Sequence, residues 1–355
     1  MKLWMYVPGA LSAGELAALK GVGITGIMGP REAAAPALAQ GLEVLLCGGA
    51  FPAGGYEGED HLALDVRGER RVWFYSGCPN HGPTRQANLA MYRKLASTPG
   101  VLGLVIDGAR FASPASSLEP EAFFTCFCPR CLAKMGQLGF DPERVQAGVS
   151  ALYAWLREGG PRPRDWAGVA DWLAFRRICA GEHLKNFANL AHRAGLLAGA
   201  FFFSPGLEGL LGQSYRDMAH TLDMISPMLY PAYPQREGDP GTACLNWELY
   251  ALGRLLAGAV GEEAARRELC RMMGDELPPL EKLKRAAPRG LIAKEAARAR
   301  QEGGPARILP ILQLDDPGLP ESMAQALAGG AEDLAFFAYR AKLLGPLGEA
   351  LATIG

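Results

Sequence analysis

Short runs of apolar, β-forming residues recur along the chain, each followed by a Gly/Pro turn and then by apolar positions at helical spacing. Continuous apolar runs of this length belong to strands buried on both faces, and their alternation with helices marks a parallel sheet. Eight strands are predicted, over residues 3–7, 24–28, 43–47, 101–107, 197–203, 224–230, 308–314 and 334–339. Helices are predicted over 12–20, 84–97, 166–194, 214–221, 321–328 and 342–351. Eight strand–helix units in succession predict one α/β domain over residues 1–355, a (β/α)8 TIM barrel, with an open doubly wound sheet as the alternative. Two stretches break the rhythm. Residues 108–195 after the fourth strand and 231–306 after the sixth are expected as insertions on the C-terminal rim, with 72–75 a short β-excursion.

Loops that follow parallel strands gather over one end of the sheet, so polar residues at strand ends are the candidates for chemistry. The fourth strand ends Asp107-Gly-Ala-Arg110-Phe111, and the seventh Gln313-Leu-Asp315-Asp316. Glu208 lies in the loop after the fifth strand, Tyr230 and Tyr233 close the sixth, Tyr339 the eighth and Tyr6 the first. Two carboxylates facing each other across a barrel can divide acid, base and nucleophile roles on a glycosidic bond. Asp107 with Asp315, or with Glu208, is the expected catalytic pair. Arg110, Tyr230, Gln313, Tyr6 and Tyr339 are expected to hold substrate, since aromatic faces stack on the apolar faces of sugar rings. Each has a plainer alternative: Asp315 as a turn residue, Tyr230 and Gln313 as barrel filling, Arg110 as an ion-pair partner of Asp107. The run Phe201-Phe-Phe203 is expected as core.

Cysteine spacing adds a metal. Cys126-Phe-Cys128-Pro-Arg-Cys131 places three thiols within one turn-sized loop, and Cys78 lies in the Gly/Pro turn Ser76-Gly-Cys-Pro-Asn-His81. Three thiolates from such a loop and a fourth from elsewhere suit tetrahedral Zn²⁺. Cys78 is the favoured fourth ligand and His81 the alternative. A shell of four thiolates leaves no position for water, so the zinc is expected to be structural. Buried free thiols and a disulfide are the competing readings; the other cysteines, Cys47, Cys179, Cys244 and Cys270, form no disulfide framework.

Composition narrows the partners. The 355 residues carry 36 Lys and Arg against 37 Asp and Glu, which gives no field for nucleic acid or anionic membrane. The apolar start Met1-Lys-Leu-Trp-Met-Tyr-Val-Pro8 breaks at Pro8-Gly9 and is expected as a first strand rather than a signal peptide, and a cytoplasmic location follows as an expectation. No Gly-x-Gly-x-x-Gly turn follows a strand, and no Walker-type lysine is present. Oligomeric state stays open.

The cysteine arrangement, with its cluster after the fourth strand, resembles the zinc site of the β-galactosidases of glycoside hydrolase family 42. In that family the fourth-strand acid is a Glu preceded by Asn; here the strand reads Val105-Ile-Asp107. Asp107-Gly-Ala-Arg110-Phe111, Ser226-Pro-Met-Leu-Tyr230-Pro231 and Gly212-Gln-Ser-Tyr215 together resemble uncharacterised glycosyl-hydrolase-like barrel families. That resemblance implies a carbohydrate-active barrel. Hydrolysis of O-glycosidic bonds in a small glycoside or oligosaccharide is the leading expectation, and a non-catalytic carbohydrate-binding barrel the alternative.

Overall fold

The computed structural model describes residues 1–116, 120–233 and 244–353. Its centre is a curled sheet of nine parallel strands: β1 (Leu3–Tyr6), β2 (Gly26–Gly29), β3 (Glu43–Gly49), β4 (Gly103–Asp107), β5 (Leu197–Phe202), β6 (Met224–Pro227), β7 (Arg307–Ile308), β8 (Ile311–Gln313) and β9 (Leu334–Phe337). Their order is β8-β9-β1-β2-β3-β4-β5-β6-β7. The predicted strand 308–314 is thus two pieces, parted at Leu309-Pro310. Proline has no N–H to give a ladder, but its carbonyl still accepts from Ala335 N at 2.9 Å, while Leu309 N donates to Ile225 O at 3.0 Å. A parallel bridge joins Met228 to Ile311, with Leu229 N donating to Ile311 O at 3.0 Å. Residues 309–311 therefore bond to neighbours on both sides.

Side chains alternate between two cores along each strand, as period-2 geometry requires. Leu3, Met5 and Val7 face outward into a large core shared with the flanking helices, whereas Trp4, Met28, Leu45, Val105, Phe201, Met224, Leu309 and Ile311 fill the inside of the curl. Room for the large inner residues comes from glycines across the register. Gly26 pairs with Trp4, Gly103 with Leu45, and Gly199 with both Val105 and Met224. A Cβ on Gly26 would stand 2.5 Å from the Trp4 ring, and one on Gly199 2.6 Å from Met224 Cε.

Helices form where capping and apolar spacing agree. The first, Ala13–Gly21, starts on a capping box in which Ser12 and Glu15 bond reciprocally. The longest, Ala167–Arg193, buries Val169, Trp172, Arg176, Cys179, His183 and Phe187 along one face. A second core holds the four cysteines and draws on Ala63, Val66, residues between Phe111 and Cys179, and Leu255; a third is built on Leu245, Leu249, Leu252, Leu269, Leu280 and Leu291 with Phe203, Leu207 and Leu211. The predicted helix 214–221 is a single turn, Tyr215–Met218, capped by Ser214. Near 72–75 the structure has a two-stranded antiparallel ribbon, Ala63–Leu64 with Arg70–Arg71, followed by a turn in which Phe74 and Tyr75 take positive φ. Among the described residues, no helix is long and apolar enough to cross a membrane.

Candidate active site and metal centre

At the C-terminal ends of the strands a cavity of about 150 Å³ is lined by Tyr6, Phe74, Asp107, Arg110, Phe201, Met228, Tyr230 and Phe337. Strand direction explains its contents, because the last inward-facing position of β1, β4, β5 and β9 supplies Tyr6, Asp107, Phe201 and Phe337. The aromatic rings pack on one another: Tyr6 lies 5.0 Å from Phe337 and 6.4 Å from Phe201 between centroids, and Tyr230 lies 5.8 Å from Phe337.

Asp107 keeps part of its surface open to this cavity. Its apolar surroundings push the carboxyl pKa up more than the nearby Arg110 charge and the Gly108 N–H pull it down. Burial likewise raises Tyr6, to about 12, with Cys47 and Asp107 adding to the effect. Arg110 is 3% exposed. Its guanidinium lies 4.5 Å from the Phe203 ring centroid, 5.0 Å from Trp73 and 5.6 Å from Phe74, and it donates to Phe111 O at 3.0 Å. Desolvation lowers its pKa to about 10, against the raising influence of Glu248 and Asp107.

Glu248 is a carboxylate that the sequence reading does not mark. It is 2% exposed, on the helix Leu245–Val260, and accepts from Ser113 Oγ at 2.7 Å and from Ala115 N at 3.4 Å. Burial raises its pKa to about 7. One signal is present in sequence: Glu248 falls three residues after Leu245 and four before Leu252, on the apolar stripe of its helix. Phe74, Met228 and Phe337 are also wall residues without a sequence expectation, and Phe201, expected as core, forms wall as well as core.

Of the expected site residues, Asp107, Arg110, Tyr6 and Tyr230 meet in this cavity, and the others lie elsewhere. Gln313 is 3% exposed, and its Nε2 donates to Asp315 Oδ1 at 2.6 Å. Asp315 Oδ2 accepts from Arg340 at 3.0 Å, and Asp315 lines a separate cavity with Asp316, Pro317 and Leu343. Glu208 begins the short helix Glu208–Leu211 and accepts from Tyr215 N at 2.7 Å; burial raises its pKa to about 8. Tyr339 packs into the outer core and donates to Glu15 Oε1 at 3.1 Å.

The four cysteines converge. Cys78, Cys126, Cys128 and Cys131 are all buried, with their sulfurs within 4.8 Å of one another. Cys78 Sγ is 3.6 Å from each of the other three sulfurs. A tetrahedral Zn²⁺–thiolate site with Zn–S near 2.3 Å requires S···S separations of about 3.8 Å, so the donor set fits such an ion. Asn80 adds N–H donors to the sulfurs: its backbone N lies 3.4 Å from Cys78 Sγ and its Nδ2 3.3 Å from Cys131 Sγ. His81 stands outside this group, with Nδ1 bonded to Thr84 Oγ1 at 2.6 Å. Beneath the loop, Arg176 is fully buried, stacks 3.8 Å from the Trp172 ring centroid, and donates to the carbonyls of Thr125, Leu210, Phe123 and Ala112. It thereby ties the backbone just before the cysteine loop, at Phe123 and Thr125, to Ala112 and to Leu210.

The fold defined by these strands is shared with glycoside hydrolases of known structure. The chain is similar to the glycoside hydrolase domain of PgaB (BpsB) from Bordetella bronchiseptica, with a TM-score of 0.59 at 13% identity over 99% of this chain and 98% of that one. It is similar as well to a β-galactosidase from the psychrophilic Marinomonas ef1 (TM-score 0.58, 13% identity, 98% of this chain and 59% of that one). The catalytic domain of a β-amylase from Paenibacillus polymyxa gives a TM-score of 0.53 at 13% identity, covering 95% and 92% of the two chains. No family model matches the chain. A stretch of 72 residues is 33% identical to serine hydroxymethyltransferase from Nitrosomonas eutropha; it spans 19% of this chain and 17% of that enzyme.

Proposed function

We propose that the chain is a glycoside hydrolase whose sugar site is the cavity at Asp107. In this reading the sheet is a closed (β/α)8 barrel, its seventh strand interrupted at Leu309-Pro310, and 108–195 and 231–306 are insertions on its rim. The observation that carries the proposal is a carboxyl group held toward its protonated form at the edge of an aromatic cavity, at the strand ends of a glycoside-hydrolase-like sheet. A neutral carboxyl is what a general acid requires for protonating a leaving glycosidic oxygen.

Asp107 is the acid, Arg110, Tyr6 and Tyr230 hold the sugar, and Gln313 and Tyr339 support the rim. Asp315, ion-paired with Arg340, is the proposed second carboxylate, and Glu208 the alternative. A structural Zn²⁺ on Cys78, Cys126, Cys128 and Cys131 would hold the loop that follows β4, with its four positions taken up by sulfur.

A second reading, a carbohydrate-binding barrel without turnover, is favoured by one observation. Among the described residues, neither Asp315 nor Glu208 lines the cavity that contains Asp107. Asp107→Asn separates the two. A hydrolase loses about 10²–10⁴-fold in turnover on glycosides with alkyl or sugar leaving groups, which depend on the acid, and keeps its affinity in titration calorimetry. A wild-type protein that binds sugars and turns none over makes the binding reading the correct one.

A further inference from the structure

The guanidinium of Arg110 is buried, faces the cavity, and makes a single hydrogen bond, from one Nη to the Phe111 carbonyl. Aromatic faces of Trp73, Phe74 and Phe203 surround it. Among the described residues it forms no ion pair. A guanidinium carries five N–H donors in a planar fork, so four of them have no described partner, on a side chain that is 3% exposed and borders the cavity. Leaving a buried cation in that state is costly unless something else completes its bonding.

The neighbouring carboxyls do not fill that role. Glu248 accepts from Ser113 Oγ and Ala115 N, and among the described residues neither it nor Asp107 forms a hydrogen bond or ion pair with Arg110, although both act on its charge at longer range. What remains is one positive charge with a fork of donors opening on a cavity of about 150 Å³. Typical ligand pockets run to roughly 300–1,000 Å³, so this one takes a single ring or the end of a chain. Planar, singly charged and bidentate describes a carboxylate, the partner that guanidinium forks match best.

We propose that the cavity binds the terminal residue of an acidic saccharide, a uronic-acid-type sugar, with its carboxylate paired to Arg110 and its ring against the Tyr6, Tyr230 and Phe337 faces. This rests on the reading of the cavity as a sugar site. Burial already shifts Asp107 toward its neutral form, and a carboxylate ligand beside it would push the same way, toward the state that lets it donate a proton.

The test compares D-glucuronate and D-galacturonate with D-glucose and D-galactose, and with inorganic sulfate, by titration calorimetry on the full chain. Uronates are expected to bind at least tenfold more tightly than the matching neutral hexoses and than sulfate. The preference should disappear in Arg110→Lys, which keeps the charge and loses the fork; should that variant fail to fold, the wild-type ratios decide. Neutral hexoses binding as tightly as uronates would overturn the proposal and leave the sugar-site reading standing. Sulfate matching the uronates would reduce the site to a simple anion hole and overturn it too. If no sugar of either kind binds and no glycoside is turned over, the proposal and the reading beneath it fail together.

Discussion

The side-chain amide of Asn80 donates to Cys131 Sγ at 3.3 Å, across 51 residues of sequence. An N–H directed at a thiolate spreads its charge and fixes the direction in which its lone pairs point, which is how outer partners tune a metal site. Asn80→Ala is expected to weaken metal binding by about 10–100-fold, because the backbone bond to Cys78 survives and the amide bond does not. Competition with a chromophoric chelator measures this, and an unchanged affinity would show that Cys131 needs no such support.

Cys128→Ser is expected to abolish stoichiometric metal binding and to destabilise the protein by more than about 2 kcal/mol, the range in which single changes report loss of a site such as a metal centre. Cys128 is also the N-cap of the helix Pro129–Gln137 but its side chain makes no capping bond, and serine suits that position, so the loss is expected to come from the metal site and not from the helix start. Metal analysis together with urea unfolding checks both parts. Full metal content and an unshifted midpoint would remove the structural ion from the account.

Glu208 gives a pH dependence of known sign. Its folded-state pKa is raised from 4.5 to about 8 by burial, so between those values the native chain holds a proton that the unfolded chain releases. The contribution is favourable below about pH 4.5 and is lost as pH rises to about 8, with a slope of at most about 1.4 kcal/mol per pH unit. Glu208→Gln still accepts the Tyr215 N–H and has no proton to lose, so its stability should gain on wild type as pH rises. Paired urea titrations at pH 5 and pH 8 that differ by the same amount would contradict this.

Gly26→Ala places a methyl where the Trp4 ring stands, at 2.5 Å. Overpacking of this kind costs about 1–3 kcal/mol, and the register Trp4↔Gly26 allows no relief by a shift of one strand without turning its inner residues outward. Combining it with Trp4→Leu should recover part of the loss. Urea unfolding of the single and double variants tests this, and a neutral Gly26→Ala would mean that the ring does not fill that space.

Much of the sheet was legible because its inner and outer faces are both apolar, so Leu3 to Tyr6 or Gly103 to Asp107 stand out as runs whatever surrounds them. The break at Leu309-Pro310 was less so, since an apolar run hides a proline whose lost N–H has its effect only in pairing. Three members of the cysteine cluster, Cys126, Cys128 and Cys131, were readable from spacing; the fourth was open between Cys78 and His81, and the structure brings in Cys78. Arg176 was not readable, because it lies in a helix containing other charges and burial depends on which face meets the rest of the protein; Glu248 shows in sequence only as a charge on the apolar stripe of its helix. Residues brought together by pairing of strands far apart in sequence, such as Phe337 against Tyr6 one step beyond the pair Met5↔Phe336, carry no local signature of that contact.

The bond from Ser113 to Glu248 spans 135 positions and joins the loop after β4 to a helix from beyond β6. Leu255 of that helix also belongs to the apolar cluster around the cysteines. Loosening either segment exposes a buried polar group in the other, so slow amide exchange should be lost from residues 110–116 and 245–256 in one step rather than two. The protein would then breathe at its mouth as a single leaf, and whatever enters the cavity at Arg110 would wait on an opening shared by both.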